Sequence, residues 1–304
     1  MSTIDVKTLP AVLPRARARW SDYGELLKAR LVSLVLVTTA VGFLMGYLGP
    51  YDGVFWVGML RTVLGTALVA GGAMALNQYL ERRTDALMAR TRARPLPEGR
   101  IAPPEALVFG TVLSLCGIGY LCASVNVLTG ALAGLTSATY LLLYTPLKTR
   151  TPLCTLVGAV SGAIPPMMGY TAAAGLVTAE AWLLFAILFV WQMPHFLAIA
   201  WLYQEDYAAG RQMMLPVVDP SGTATARQMV SFSLTLLPVT LMPTVVGMTG
   251  TVYFFAALVL GLAFLAFAVR VAVTRTKPAA RAMFLASVLY LPALLMMMML
   301  DRGY

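Results

Sequence analysis

The sequence predicts an all-α integral membrane protein: about nine transmembrane helices in a bundle with a central cavity, N-terminus cytoplasmic. Composition is the first reason. Of 304 residues, 12% are charged and 59% apolar, where soluble domains carry about 25% charged and about 45–50% apolar residues. Mean hydropathy is +0.78, and a water-soluble fold of this size cannot hide so much apolar surface. The recurrence of long apolar runs is the second reason, and the placement of Lys and Arg is the third.

The runs long enough to cross a bilayer as helices, about 17–25 residues each, are 31–49, 55–76, 105–125, 127–145, 153–173, 181–202, 229–248, 252–270 and 281–300. Backbone polar groups in lipid need partners within their own segment, so these are helices and not open strands. The first run begins after 30 residues and no small-residue cleavage pattern follows, so it reads as a span and not as a signal peptide. Gly42/Gly46 and Gly158/Gly162 have the small-xxx-small spacing that lets helices approach closely, a packing feature. Cys116, Cys122 and Cys154 sit singly in apolar runs, without metal-ligand or disulfide spacing, and read as small buried hydrophobes.

With the N-terminus inside, the interior segments are 1–30, 77–104, 146–152, 203–228 and 270–281, and they hold 20 of the 22 Lys and Arg residues. A missed helix would invert every later loop, so this alternation supports both the number of spans and the orientation. The chain therefore divides into a basic cytoplasmic N-terminal segment, 1–30, and one transmembrane domain, 31–304. Two interior loops are much longer than the rest, 77–104 and 203–228, and long loops between packed elements tend to carry function or disorder.

The first of these loops begins with Asn77, Glu81 and Asp85. Each four-residue step turns a helix by about 400°, so the three drift by only about 40° apiece and share one face. A carboxamide and two carboxylates in a stack suit Mg²⁺, which takes hard oxygen ligands and lets substrate phosphates and waters complete its shell. The same spacing equally suits a solvated helix end with ion pairs to Arg82, Arg83 or Arg90. Arg90, Arg92 and Arg94 follow at once, and acidic residues holding a divalent ion beside guanidinium groups make a diphosphate clamp. Inside loops are basic in any case and attract lipid headgroups, but that does not account for Thr91 or for Pro95-Leu96.

The second loop follows Gln192-Met193-Pro194-His195-Phe196 and contains Glu205-Asp206-Tyr207. Asp206 should emerge on the same side as Asp85. His195, the only histidine, precedes Asp206 by 11 residues. In a regular helix that spacing leaves the two about 20° apart, with His195 roughly 16 Å deeper. His195 and Gln192 are then expected to look into a pocket whose mouth carries Asp206, since polar residues within a span face the protein interior or a watery cavity. A histidine satisfied by a neighbouring helix is the competing reading. Lys148, after Tyr144-Thr145-Pro146, adds an interior point charge suited to phosphate.

At these motifs the sequence resembles the UbiA-type intramembrane prenyltransferases, and among them the haem O synthases (protohaem IX farnesyltransferases), over nearly the whole chain. Asn77 to Asp85, with Met88 to Leu96 and Gly99-Arg100-Ile101, resembles the family's first aspartate-rich motif and its arginine tail. Tyr144 to Lys148 and Gly162-Ala163-Ile164-Pro165-Pro166 with Gly169 are similar to the next block. Pro194-His195-Phe196 through Glu205-Asp206-Tyr207 to Met214-Leu215-Pro216-Val217-Val218 resembles the haem O synthase form of the second motif. Glu81 stands where many members have aspartate, Gly210 stands where a second aspartate would follow Asp206, and 209–213 departs from the usual loop.

The resemblance implies a Mg²⁺-dependent transfer of farnesyl from farnesyl diphosphate to haem B. It implies Asn77, Glu81, Asp85 and Asp206 as metal ligands and Glu81, Asp85, Asp206 and His195 as catalytic. Arg90, Arg92, Arg94, Lys148, Gln192 and Tyr207 would bind substrate. His195 would position haem, ligate its iron or steer the water that completes haem O. The implied setting is the inner membrane, with membrane lipid around the protein, haem A synthase or a terminal oxidase as assembly partners, and no nucleic acid. The competing functions are a quinone-type or chlorophyll-type prenyltransferase and a multi-pass transporter, whose sites sit nearer mid-membrane on interrupted helices.

Overall fold

The computed structural model describes residues 20–303; residues 1–19, most of the expected N-terminal segment, lie outside it. Among the described residues there is no β-strand, only an isolated bridge between Thr249 and Arg302. The helices are α1 (Trp20–Leu26), α2 (Ala29–Gly46), α3 (Gly53–Asp85), α4 (Pro103–Ser124), α5 (Val127–Ala138), α6 (Thr145–Leu147), α7 (Cys154–Ala174), α8 (Ala179–Leu202), α9 (Gln204–Ala209), α10 (Leu215–Val218), α11 (Thr223–Val245), α12 (Thr251–Thr274) and α13 (Lys277–Leu300). A π-helical turn, Thr139–Tyr144, joins α5 to α6.

Eight of these segments are long and apolar enough to cross a membrane. The ninth expected span is present as α7, 21 residues long. Pro165, Pro166 and its glycines dilute its apolar character, and it is largely enclosed by α2, α5 and α8. The chain is a multi-pass integral membrane protein: Leu34, Val108, Leu142, Val259 and Leu289 all point outward, fully compatible with lipid and not with water. Cys154 is buried as expected, whereas Cys116 is exposed.

Helix ends are set by local chemistry. Asp52 Oδ1 accepts the N–H groups of Val54 at 2.8 Å and Phe55 at 3.2 Å and so starts α3. Asn126 Oδ1 accepts the N–H of Thr129 at 2.8 Å to start α5, and Pro103 occupies the first turn of α4. The α2–α7 packing depends on absent side chains. A methyl group on Gly42 would collide with the Pro166 carbonyl, and one on Gly169 with that of Thr39. The small-residue stripe is therefore packing, as expected.

Length positions the site. The 33 residues of α3 span about 50 Å at about 1.5 Å per residue, against a hydrocarbon core of about 30 Å. Its last turns, which carry Asn77, Glu81 and Asp85, therefore project past the apolar layer. The 86–102 and 203–222 connections lie at that same end, because Asp206 Oδ1 accepts the Ala89 N–H at 3.0 Å. At the opposite end Arg302 bonds Tyr51 Oη at 2.9 Å and also the Tyr47 carbonyl.

Replacing Gly169 by Val is expected to destabilise the bundle by roughly 1–3 kcal/mol or more through overpacking. Gly134→Ala, where a new Cβ would meet only Ile118 Cδ1 at 3.8 Å, should leave the protein unchanged. Melting temperatures in detergent check the pair; equal temperatures would contradict the close α2–α7 approach.

Candidate active site

A cavity of about 170 Å³ opens at the long-loop end of the bundle. Its charged lining is Glu81 and Asp85 from α3, Arg90 and Arg94 from the loop after it, Lys28 from the α1–α2 turn and Lys148 from the end of α6. Four cationic groups thus face two carboxylates, which favours an anion. Tyr140, Tyr144, Tyr207, Met88, Met214 and Gln212 complete the wall.

The α3 ladder is buried: Asn77 is 0%, Glu81 7% and Asp85 1% exposed. Burial at this depth requires partners, since an unpaired buried charge is costly. They come from distant segments. Lys148 Nζ lies 2.8 Å from Glu81 Oε1, Arg94 Nη1 lies 2.7 Å from Asp85 Oδ2, and Lys28 Nζ donates to Asn77 Oδ1 at 2.9 Å. Asn77 Nδ2 donates to Glu81 Oε2 at 3.0 Å and to Thr145 Oγ1 at 3.1 Å. The ion pairs to Arg82, Arg83 or Arg90 of the competing reading are not adopted: Glu81 pairs with Lys148 and Asp85 with Arg94, while Arg82 donates to the Tyr79 carbonyl and lies over that ring.

Burial, followed by the Arg94 guanidinium, pushes the Lys28 ammonium down to about 7. At Lys148 burial acts the same way, but the Glu81 carboxylate outweighs it and holds the ammonium well above its usual range. Lys148 is therefore the firm cation of the site, while Lys28 carries a charge that a bound anion would strengthen.

The surrounding fold explains the loop residues. Thr91 Oγ1 donates to the Asp85 carbonyl at 2.8 Å, and the Pro95 carbonyl accepts the N–H groups of Arg100 and Ile101. Leu96 is buried with Leu26, Ala75, Ile101 and Ala106. The π turn sets Tyr140 and Tyr144 with ring centres 5.4 Å apart in the cavity wall, and Thr145 Oγ1 donates to the Tyr140 carbonyl. π turns recur at functional sites.

Residues 35–291 match the UbiA prenyltransferase family. The chain belongs to the UbiA prenyltransferase family. Relatives include the protoheme IX farnesyltransferase of Solibacter usitatus, 48% identical over 92% of this chain and 98% of that protein. The protoheme IX farnesyltransferase of Koribacter versatilis is 44% identical over 97% of this chain and 98% of its own. Among solved structures, one concerned with digeranylgeranylglyceryl phosphate synthase in membranes superposes with TM-score 0.78 at 14% identity, covering 92% of this chain and 97% of that one. A UbiA homologue from Archaeoglobus fulgidus bound to GPP and Mg²⁺ superposes with TM-score 0.61 at 14% identity, covering 91% and 99%. These likenesses show a shared UbiA-type fold.

Of the residues expected from sequence, this family member brings Glu81, Asp85, Arg90, Arg94, Lys148 and Tyr207 together in the cavity wall. Asn77 lies one layer behind, bonded to Glu81. Arg92 is exposed and outside the lining. Gln192 is buried against Gly162 on α7, its Nε2 donating to the Leu188 carbonyl at 3.1 Å. Asp206 is also outside the lining.

The shared face expected for His195 and Asp206 is not formed. The helix breaks at Tyr203, whose φ of −110° and ψ of 28° leave helical geometry, and Gln204 Nε2 bonds the Pro216 carbonyl at 2.7 Å. His195 instead faces α13: its Nδ1 is 2.7 Å from Ser287 Oγ, and its ring stacks on Trp191 with Phe284 beside it.

Sequence reasoning missed Lys28, Tyr140, Tyr144, Thr145 and Gln212. Lys28 sits where basic residues are expected for topology alone, and the tyrosines lie inside an apolar span. Tyr144 and Thr145 fall in the block that resembles the family, but nothing in that block marked them as cavity lining, and the i,i+4 spacing of the tyrosines was the further signal.

The Glu81–Lys148 pair yields a stability test. Lys148→Met is expected to cost about 3–5 kcal/mol by stranding a buried carboxylate, and adding Glu81→Gln should recover most of it. Thermal unfolding in detergent reads this directly; a double variant no more stable than the single would contradict the pairing.

Proposed function

We propose that the protein transfers a farnesyl group from farnesyl diphosphate to a vinyl group of haem B, with addition of water, giving haem O. The observation that carries this reading is the buried, cation-rich cavity at the end of α3, with two carboxylates in its wall. The acceptor and the prenyl chain are supported by relatives named protoheme IX farnesyltransferase at 42–48% identity. The placement of the site at the cytoplasmic face of the inner membrane is supported by the distribution of Lys and Arg over the loops.

The donor set fits Mg²⁺. Glu81 and Asp85 are carboxylate donors one turn apart in the cavity wall, Gln212 Oε1, also in the wall, is a buried oxygen with no hydrogen-bond partner, and the Asn77 carboxamide supports Glu81 from behind. Among the described residues no group of three or more His, Cys, Asp or Glu is assembled to hold a metal alone. Diphosphate oxygens and water would therefore complete the shell, as is usual for this ion. When bound, Mg²⁺ supplies positive charge to the diphosphate as the allylic C–O bond ionises.

The chain's own residues do the rest. Lys148 and Arg94 are held beside the carboxylates and become available to phosphate oxygens when those carboxylates take another partner. Arg90 and Lys28 close the site from two other segments. The apolar interior between the helices accommodates the prenyl chain, where scarcity of water protects the allylic cation from premature quenching. His195, on α8 away from the diphosphate cavity, serves the haem. Its product would pass to haem A synthase or a terminal oxidase.

Mass spectrometry of haem after incubation with farnesyl diphosphate tests the reading: haem O is expected, and a chelator should remove it. Unmodified haem in the presence of Mg²⁺ would contradict it. Asp85→Asn is expected to abolish turnover while the protein still inserts and folds; normal turnover would exclude a metal role. His195→Ala should impair use of haem more than binding of farnesyl diphosphate, and equal losses would make the histidine structural.

A further inference from the structure

The second acidic cluster is built for a different task from the first. Four contacts tie residues 203–210 to the arginine loop. Asp206 Oδ1 accepts the Ala89 N–H at 3.0 Å. The Arg90 guanidinium lies 5.1 Å from the ring centre of Tyr203 and 5.0 Å from that of Tyr207. Met88, only 1% exposed, packs on the backbone of Gly210, where an added Cβ would lie 2.8 Å from its Sδ. Met88, Arg90 and Tyr207 line the cavity and Asp206 does not.

We infer that Asp206 is a positioning residue: together with Tyr203 and Tyr207 it fixes the 88–90 turn so that Arg90 is presented to the anion, and it is not a metal ligand. This rests on the reading of the cavity as a diphosphate site. Arg90 is on an exposed loop, and a free arginine side chain loses much rotamer freedom on binding. Two aromatic faces hold the guanidinium by cation–π attraction, and the carboxylate holds the backbone beneath it through a charge-assisted hydrogen bond. The ordering cost is then met in folding and not on binding the anion. The same geometry accounts for Gly210. A side chain there would have to shift the buried Met88, so a second carboxylate at that position would disturb the packing of the clamp.

The test uses the full chain in detergent and inorganic pyrophosphate with Mg²⁺ as the probe. Asp206→Asn keeps an oxygen that accepts the Ala89 N–H and loses the charge; Asp206→Ala loses both. Calorimetry should find Asp206→Asn within about three-fold of the unmodified protein, and Asp206→Ala weaker by about ten-fold. Arg90→Ala should be similarly weak, and the Asp206→Ala/Arg90→Ala double variant should lose little more. Tyr203→Phe and Tyr207→Phe should be neutral while the two Leu variants follow Asp206→Ala. Trypsin should cut after Arg90 and Arg92 faster in Asp206→Ala than in Asp206→Asn. Equal losses in the Asn and Ala variants, with the Mg²⁺ needed for half-saturation raised in both, would overturn the inference and make Asp206 a ligand. Failure of the unmodified protein to bind pyrophosphate would instead overturn the diphosphate reading on which it rests.

Discussion

The Glu81–Lys148 contact is the constraint on which the site depends. Both side chains are nearly buried at the rim of an apolar bundle, and neither charge could remain there alone. Because Lys148 follows the π turn and α6, and Glu81 lies one turn before the end of α3, the pair fixes the α5–α6 segment against α3. It also shapes Asp85 and Asn77, one turn to either side, whose partners Arg94 and Lys28 arrive from two further segments. A patch of the membrane surface that could have been a loose basic loop becomes a rigid, electrostatically balanced wall. Such a wall favours an anion that brings a cation with it, because each carboxylate already has a partner to release.

Much of this was legible in the sequence. All nine expected spans have helical counterparts, because the apolar runs and the alternation of basic loops both report the same solvent; most boundaries shift by a few residues, but α3 runs on to Asp85, well past its expected end at 76. The Asn77–Glu81–Asp85 ladder was visible because helix periodicity is local. The rest is tertiary. Lys28 looks like any basic residue before a first span, and only the fold brings it 2.9 Å from Asn77. The π turn leaves no trace in hydropathy. The break at Tyr203 could not be read either: no Gly or Pro marks it, and the Gln204 bond to the Pro216 carbonyl that accompanies it is a tertiary contact. Asp206 bonds a backbone N–H, a partner every residue but proline offers and no motif records.

That break divides the second motif between two tasks. His195 stays in the bundle, held between α8 and α13, while Asp206 reaches across to the loop that follows α3. In the proposed reading the cavity at the end of α3 takes the prenyl donor, while His195, held against α13, serves the acceptor.

The central claim is that Glu81 and Asp85 take a metal while Lys148 and Arg94 take the diphosphate. Anomalous diffraction from crystals grown with Mn²⁺ and a non-reactive farnesyl thiolodiphosphate addresses it most directly. The account predicts a manganese peak within coordination distance of Glu81 and Asp85, with the diphosphate against Lys148 and Arg94. A peak at the opposite end of the bundle, or a diphosphate bound with both ion pairs still closed, would contradict it.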